Sequence, residues 1–84
     1  MWKITTNLDG GKDLNVCSQD YDEKSAERLT HRFRLLDGDR IPYFEGVSDD
    51  ASSESAFDPL DNFGEGYAGC AFIEYLENGK WSPL

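Results

Sequence analysis

Histidine, cysteine and basic residues are scarce in this 84-residue chain, which has one His, two Cys and eight Lys or Arg. Each scarcity excludes a class of chemistry. His31, Cys17 and Cys70 are the only soft donors, too few for a well-supported zinc site of three or four ligands. They also give nucleophilic or acid–base catalysis little to work with. A lone His at the start of a strand-like stretch reads as structural, so the chain is expected to be neither an enzyme nor a cofactor protein. Seventeen Asp and Glu make the net charge −9. The phosphate attraction that dominates binding to nucleic acid or an anionic membrane would be repulsive here. No run approaches the roughly eighteen apolar residues of a membrane span, and the opening MWKITTNLDGGK lacks the apolar stretch of a signal peptide. A cytoplasmic location is the expectation, with Cys17 and Cys70 reduced and packed rather than paired. A disulfide between them stays open, because spacing alone does not place their Cα atoms.

What is abundant is acid, and it is concentrated. Segment 37–66 holds nine carboxylates (Asp37, Asp39, Glu45, Asp49, Asp50, Glu54, Asp58, Asp61, Glu65) against Arg40 alone, a net −8. Residues 1–36 balance to zero and residues 67–84 come to −1. Charge so localised constrains what one surface can attract. Aromatic residues, 13% of the chain, flank this segment on both sides, which argues against disorder. The expectation is one small domain over 1–84 with a mobile acidic loop at about 48–66.

The pattern along the chain predicts an α+β fold. It has a small antiparallel sheet of about four or five strands, with two β-hairpins, and one helix near 22–30 packed on it. Residues 2–6 alternate Trp2, Ile4 and Thr6 against Lys3 and Thr5, as a short strand does. Asp9-Gly10-Gly11-Lys12 is a turn by composition, and 14–17 is either a brief strand paired back across it or ordered loop. Asp22 can cap a helix whose dipole Glu23 complements. That helix either runs to Leu36, with Ala26, Leu29, Phe33 and Leu36 on one stripe, or stops at Thr30 and yields to a strand over 31–36. The second reading is preferred. It makes a hairpin through Gly38-Asp39 in which Phe33 faces Phe44, Leu35 faces Pro42 and Leu36 faces Ile41, with Pro42 marking an edge strand. Ser48 to Glu54 is polar loop, and Phe57, Leu60 and Phe63 suggest one helical turn that pins it. The clearest element is the last. Asn78-Gly79 supplies the positive-φ pair of a type I′ turn, pairing Glu77 with Lys80, Leu76 with Trp81, Tyr75 with Ser82 and Ile73 with Leu84.

Three motif readings remain. Gly64-Glu65-Gly66-Tyr67-Ala68-Gly69 has the letters G-x-G-x-x-G, but no strand precedes it, a strand follows, and Glu65 would repel a pyrophosphate. It reads as a flexible lead-in to the last hairpin. No acidic stretch has EF-hand spacing, which leaves only an irregular oxygen cage from Asp49, Asp50, Asp58 and Asp61 as a calcium reading. The 71–84 hairpin carries apolar side chains on both faces: Ile73, Tyr75 and Leu84 on one, Phe72, Leu76 and Trp81 on the other. A single helix covers only one, so the open face points to self-association, a homodimer through 71–84.

The first-ranked functional expectation is a non-enzymatic binding protein. Its acidic surface, built from Asp49, Asp50, Glu54, Asp58, Asp61 and Glu65, would occupy the basic surface of a partner, itself a nucleic-acid-binding protein. The layout is similar in general character to the small inhibitors that phages and mobile elements carry against host DNA-binding machinery, anti-CRISPR and anti-restriction proteins among them. That likeness is one of composition and transfers no residue. The alternatives are a structural or self-associating module and a calcium-binding module.

Overall fold

The computed structural model describes residues 1–12 and 14–84. Five strands form one antiparallel sheet: β1 (Trp2–Asn7), β2 (His31–Leu36), β3 (Pro42–Ser48), β4 (Phe72–Glu77) and β5 (Lys80–Pro83), in the order β1-β3-β2-β4-β5. Alternation assigns the side chains to two faces. Trp2, Ile4, Phe33, Leu35, Phe44, Ile73 and Tyr75 point to one of them and form the core with Ala56, Leu60, Phe63 and Cys70.

That face is covered by a bent helical run over 54–68. It comprises a 3₁₀ turn (Glu54–Phe57), a π-helical segment (Leu60–Gly64) and an α-helical turn (Glu65–Ala68). Ser53 starts it by accepting from the Ser55 N–H at 3.2 Å. Ala56, Leu60, Phe63 and Gly64 bury themselves, while Phe57 stays 37% exposed. The apolar spacing of the segment therefore reaches the core through 56, 60 and 63 rather than 57, 60 and 63. The Tyr75 hydroxyl donates to the Ala56 carbonyl at 2.7 Å, tying the start of the run to β4. Thus much of the stretch expected to be a loop at 48–66 is helical and seated on the sheet.

The expected packed helix near 22–30 is a correction. A six-residue 3₁₀ turn (Glu23–Arg28) stands there, and it buries none of its residues. Asp22 caps it as expected, accepting from the Lys24 N–H at 3.0 Å. Ala26 and Leu29 alone offer too little apolar surface to hold a longer helix, and from His31 the period-2 pattern wins.

The β2–β3 register also differs from expectation. Phe33 faces Gly46, Leu35 faces Phe44 and Leu36 faces Pro42, with an irregularity between Leu35 and Leu36. The cause is a longer turn. The Asp37 carbonyl accepts from the Arg40 N–H, the Asp37 N–H donates to the Ile41 carbonyl, and Arg40 takes φ +62°. A third turn residue in the left-handed region shifts the pairing away from a two-residue Gly-Asp connection. Nor is β3 an edge: it lies between β1 and β2, and Pro42 is tolerated as its first residue. The β4–β5 pairs Glu77–Lys80, Leu76–Trp81 and Tyr75–Ser82 are those expected, with Asn78 at φ +52° and Gly79 at +77°. Residues 16–18 run beside β1: the Ile4 N–H donates to Val16 and the Ser18 N–H to Trp2, around a Lys3–Cys17 bridge.

Candidate functional site

On the outer side of the helical run, Glu54, Asp61 and Glu65 are exposed and Asp58 is half-buried. These acids recur at i, i+4, i+7 and i+11, the spacing of one helical stripe, because 56, 60 and 63 face inward. No Lys or Arg occurs anywhere in 49–68.

Asp49 and Asp50 lie off this stripe, and Asp58 belongs both to it and to a second setting. All three line a cleft of about 890 Å³ with Trp2, Val16, Phe63 and an acid the sequence reading missed, Asp20. Asp50 is already engaged by its own loop. Its Oδ1 accepts from the Ser52 and Ser53 N–H groups at 2.9 and 3.0 Å, and Oδ2 accepts from the Ser53 hydroxyl. Those bonds, the Ser53 hydroxyl foremost, hold its carboxyl down at about 2. Asp49 accepts from the Met1 α-ammonium at 3.1 Å, and Asp20 stands 3.6 Å from the same group. The Ser18 hydroxyl and that ammonium lower the Asp20 carboxyl. Glu54, Asp58, Asp61 and Glu65 are thus the acids of the helical stripe, while Asp49 and Asp50 hold its approach in place. Among the described residues no three His, Cys, Asp or Glu come together in a group that could hold a metal ion.

The helical run 54–68 packs on the first face of the sheet, and the second face presents charged side chains. Its central row runs Glu45–Arg34–Glu74 across β3, β2 and β4. Arg34 donates to Glu74 Oε1 through Nε and Nη2, both at 2.7 Å, and Arg40 Nη1 lies 3.7 Å from Oε2. Arg32 reaches Glu45 at 2.8 Å. The guanidinium of Arg34 stands 4.5 Å from the Trp81 ring centroid, and that of Arg40 stands 4.4 Å from Phe72. These stacks shield the aromatic side chains of the 71–84 segment, and Phe72, Leu76 and Trp81 end half-buried. The open apolar face expected there is instead an arginine–aromatic lattice. The signal was present in HRFRLL, where Arg32 and Arg34 alternate with the buried Phe33 and Leu35.

Cys17 is exposed rather than packed, Cys70 is buried, and both are free. Burial pushes the Cys70 thiol up to about 11, which suppresses the nucleophilic thiolate. His31 is exposed at the start of β2, opposite Ser48. The G-x-G-x-x-G letters form the last helical turn. Gly69, at φ +67°, ends it, and the Cys70 N–H returns to the Gly64 carbonyl at 3.0 Å. Among the described residues no helix is long and apolar enough to cross a membrane.

Fold and surface together define a small, mostly sheet α+β domain with an acidic helical face and an arginine–aromatic sheet face. In comparisons with known proteins, the chain matches no family model, no curated protein and no solved structure.

Proposed function

We propose that this chain is a non-enzymatic, stoichiometric binding protein whose acidic helical face occupies a basic, nucleic-acid-binding surface of a partner protein. One observation carries the reading: residues 49–68 hold six carboxylates and no base, and four of the six, Glu54, Asp58, Asp61 and Glu65, lie on a run anchored by Ala56, Leu60 and Phe63. Anchoring matters because acids held in place lose little conformational entropy on binding. The order of the acids along the stripe is set by the helical run that carries them. Duplex DNA likewise displays its charge in order, one per ~1.7 Å of axis. Lysines and arginines arranged for the second array can engage the first. The reading is of the kind expected for a DNA-mimicking inhibitor.

The test is capture from lysate in low salt with the wild-type chain. In parallel runs a variant in which Glu54, Asp58, Asp61 and Glu65 become the corresponding amides. Asp50 is left alone because its bonds organise the loop. A captured nucleic-acid-binding protein that elutes with moderate salt, is displaced by duplex DNA and is lost by the variant supports the reading. Capture of none, or capture indifferent to the four changes in a variant of unaltered melting temperature, overturns it.

A further inference from the structure

We propose that the arginine–aromatic face of the sheet docks the acidic helical face of a second copy of this chain, so that copies stack head to tail at low salt. The two faces lie on opposite sides of one sheet and differ in charge. Residues 49–68 carry six acids without a base. The sheet face gathers Lys3, Arg32, Arg34 and Arg40 against Glu45 and Glu74, a surplus of two positive charges in a chain of net −9. Either face set against its own kind brings like charges together, and only the unlike pairing is complementary. Donors are also to hand. The side chains of Arg32 and Arg40 are each 56% exposed. A guanidinium has five N–H donors, and Arg32 shows one bond, from Nη2 to Glu45. Trp81 lies under this face, with the guanidinium groups of Arg34 and Arg32 4.5 and 5.8 Å from its ring centroid, and Trp and Arg are the residues most enriched at the centres of interfaces.

Size sets the strength. Five strands of about six residues present a face of roughly 20 by 20 Å, or ~400 Å². A stable interface takes ~800 Å² from each partner, so this contact is weak and sensitive to salt. It is also heterologous: every added copy leaves one face of each kind free, and the stack does not close. Stacking covers the acidic stripe until a more basic surface competes for it.

Sedimentation velocity on the full chain at roughly 0.5 mM, in low and in ~0.5 M salt, reads the contact. Two variants split it: Arg32→Ala with Arg40→Gly, and Asp61→Asn with Glu65→Gln. All four positions are exposed, and the melting temperature of each variant checks its fold. The expected result is a wild type heavier than a monomer in low salt and monomeric in high salt, with each variant monomeric alone. An equimolar mixture of the two variants retains one intact pairing, so it forms dimers and nothing larger. A wild type monomeric in low salt overturns the proposal, as does a mixture that stays monomeric. Association that survives high salt and both variants but is lost in Trp81→Glu also overturns it, in favour of an apolar homodimer through 71–84.

Discussion

One sheet carries two coverings made by different physics. On the first face, aromatic and aliphatic side chains from β1 to β4 meet Ala56, Leu60 and Phe63, and stabilisation comes from apolar area removed from water. Phe63 is the hub, with ring centroids 5.1 Å from Phe44, 6.3 Å from Trp2 and 5.1 Å from Tyr67. On the second face Arg34, Arg40 and Glu74 lie over Trp81 and Phe72, so the cover consists of charged side chains and their bonds. Apolar packing is non-directional and scales with area. A guanidinium stack depends on geometry and loses strength where water reaches it. A small domain thus satisfies both sides of its sheet with one helical layer, and keeps its strongest interactions on the side that layer covers.

The first way to break the comparison is to remove equal rings from the two faces. Phe63→Ala leaves a cavity under the helical layer and should cost about 3–5 kcal/mol, enough to unfold much of a domain this size. Phe72→Ala, half-buried beneath Arg40, should cost clearly less. Urea unfolding of the two variants decides it, and equal losses would mean that the second cover is as well packed as the first.

Gly46→Ala sharpens the same contrast from within the sheet. Gly46 stands opposite Ile4 and Phe33, and a β-carbon there would lie 2.4 Å from the Phe33 ring and 2.4 Å from the Lys3 carbonyl oxygen. The ring lies over the glycine, so one methyl group pushes on both neighbouring strands. The expected loss is about 3 kcal/mol, at the upper end for overpacking. On the other face, Glu74→Gln keeps the shape and removes the charge that Arg34 and Arg40 share. A charge-assisted bond is lost, and about 2 kcal/mol should go with it. That loss should shrink in ~1 M salt, whereas the Gly46→Ala loss should not.

How much of this was legible in the sequence follows from the same division. Strands with a clean period of two could be read: β1, β2 against the competing helix, and the β4–β5 pair with its Asn78-Gly79 turn. The helical run could not be read beyond one turn, for a physical reason. Pro59 and three glycines lie within or at the end of the run, and Glu54, Asp58 and Asp61 look like loop when their partners are unseen. Its helicity is conferred by burying Ala56, Leu60 and Phe63 on the sheet, a tertiary effect that overrides weak local propensity. Likewise the six acids could be named, but not their division into a helical stripe and a cleft. That division depends on Asp50 spending its oxygens on Ser52 and Ser53, and on Asp20 arriving from 30 residues away in sequence. The arginine lattice was missed because HRFRLL was read for its apolar positions alone.

The smallest effect tests the joint between the sheet and its helical cover. Tyr75 is buried and its hydroxyl donates to Ala56, so Tyr75→Phe keeps the packing and removes one bond. The cost should be about 1 kcal/mol near neutral pH, read as a small fall in melting temperature. The alkaline side carries more information. Burial pushes the Tyr75 phenol up to about 12 from an ordinary value near 10, and the Cys70 thiol up to about 11. An acid raised in this way is kept neutral by the fold. Its stabilising effect is complete below its unfolded pKa and is lost as pH climbs through the folded one. Wild-type melting temperature should therefore fall between about pH 9 and pH 12, the thiol contributing first and the phenol later. In Tyr75→Phe the later part of that fall should vanish, so the two melting curves converge towards pH 12. If the variant tracks the wild type at a constant offset across that range, the phenol does not titrate against the fold, and the offset reports the lost hydrogen bond alone.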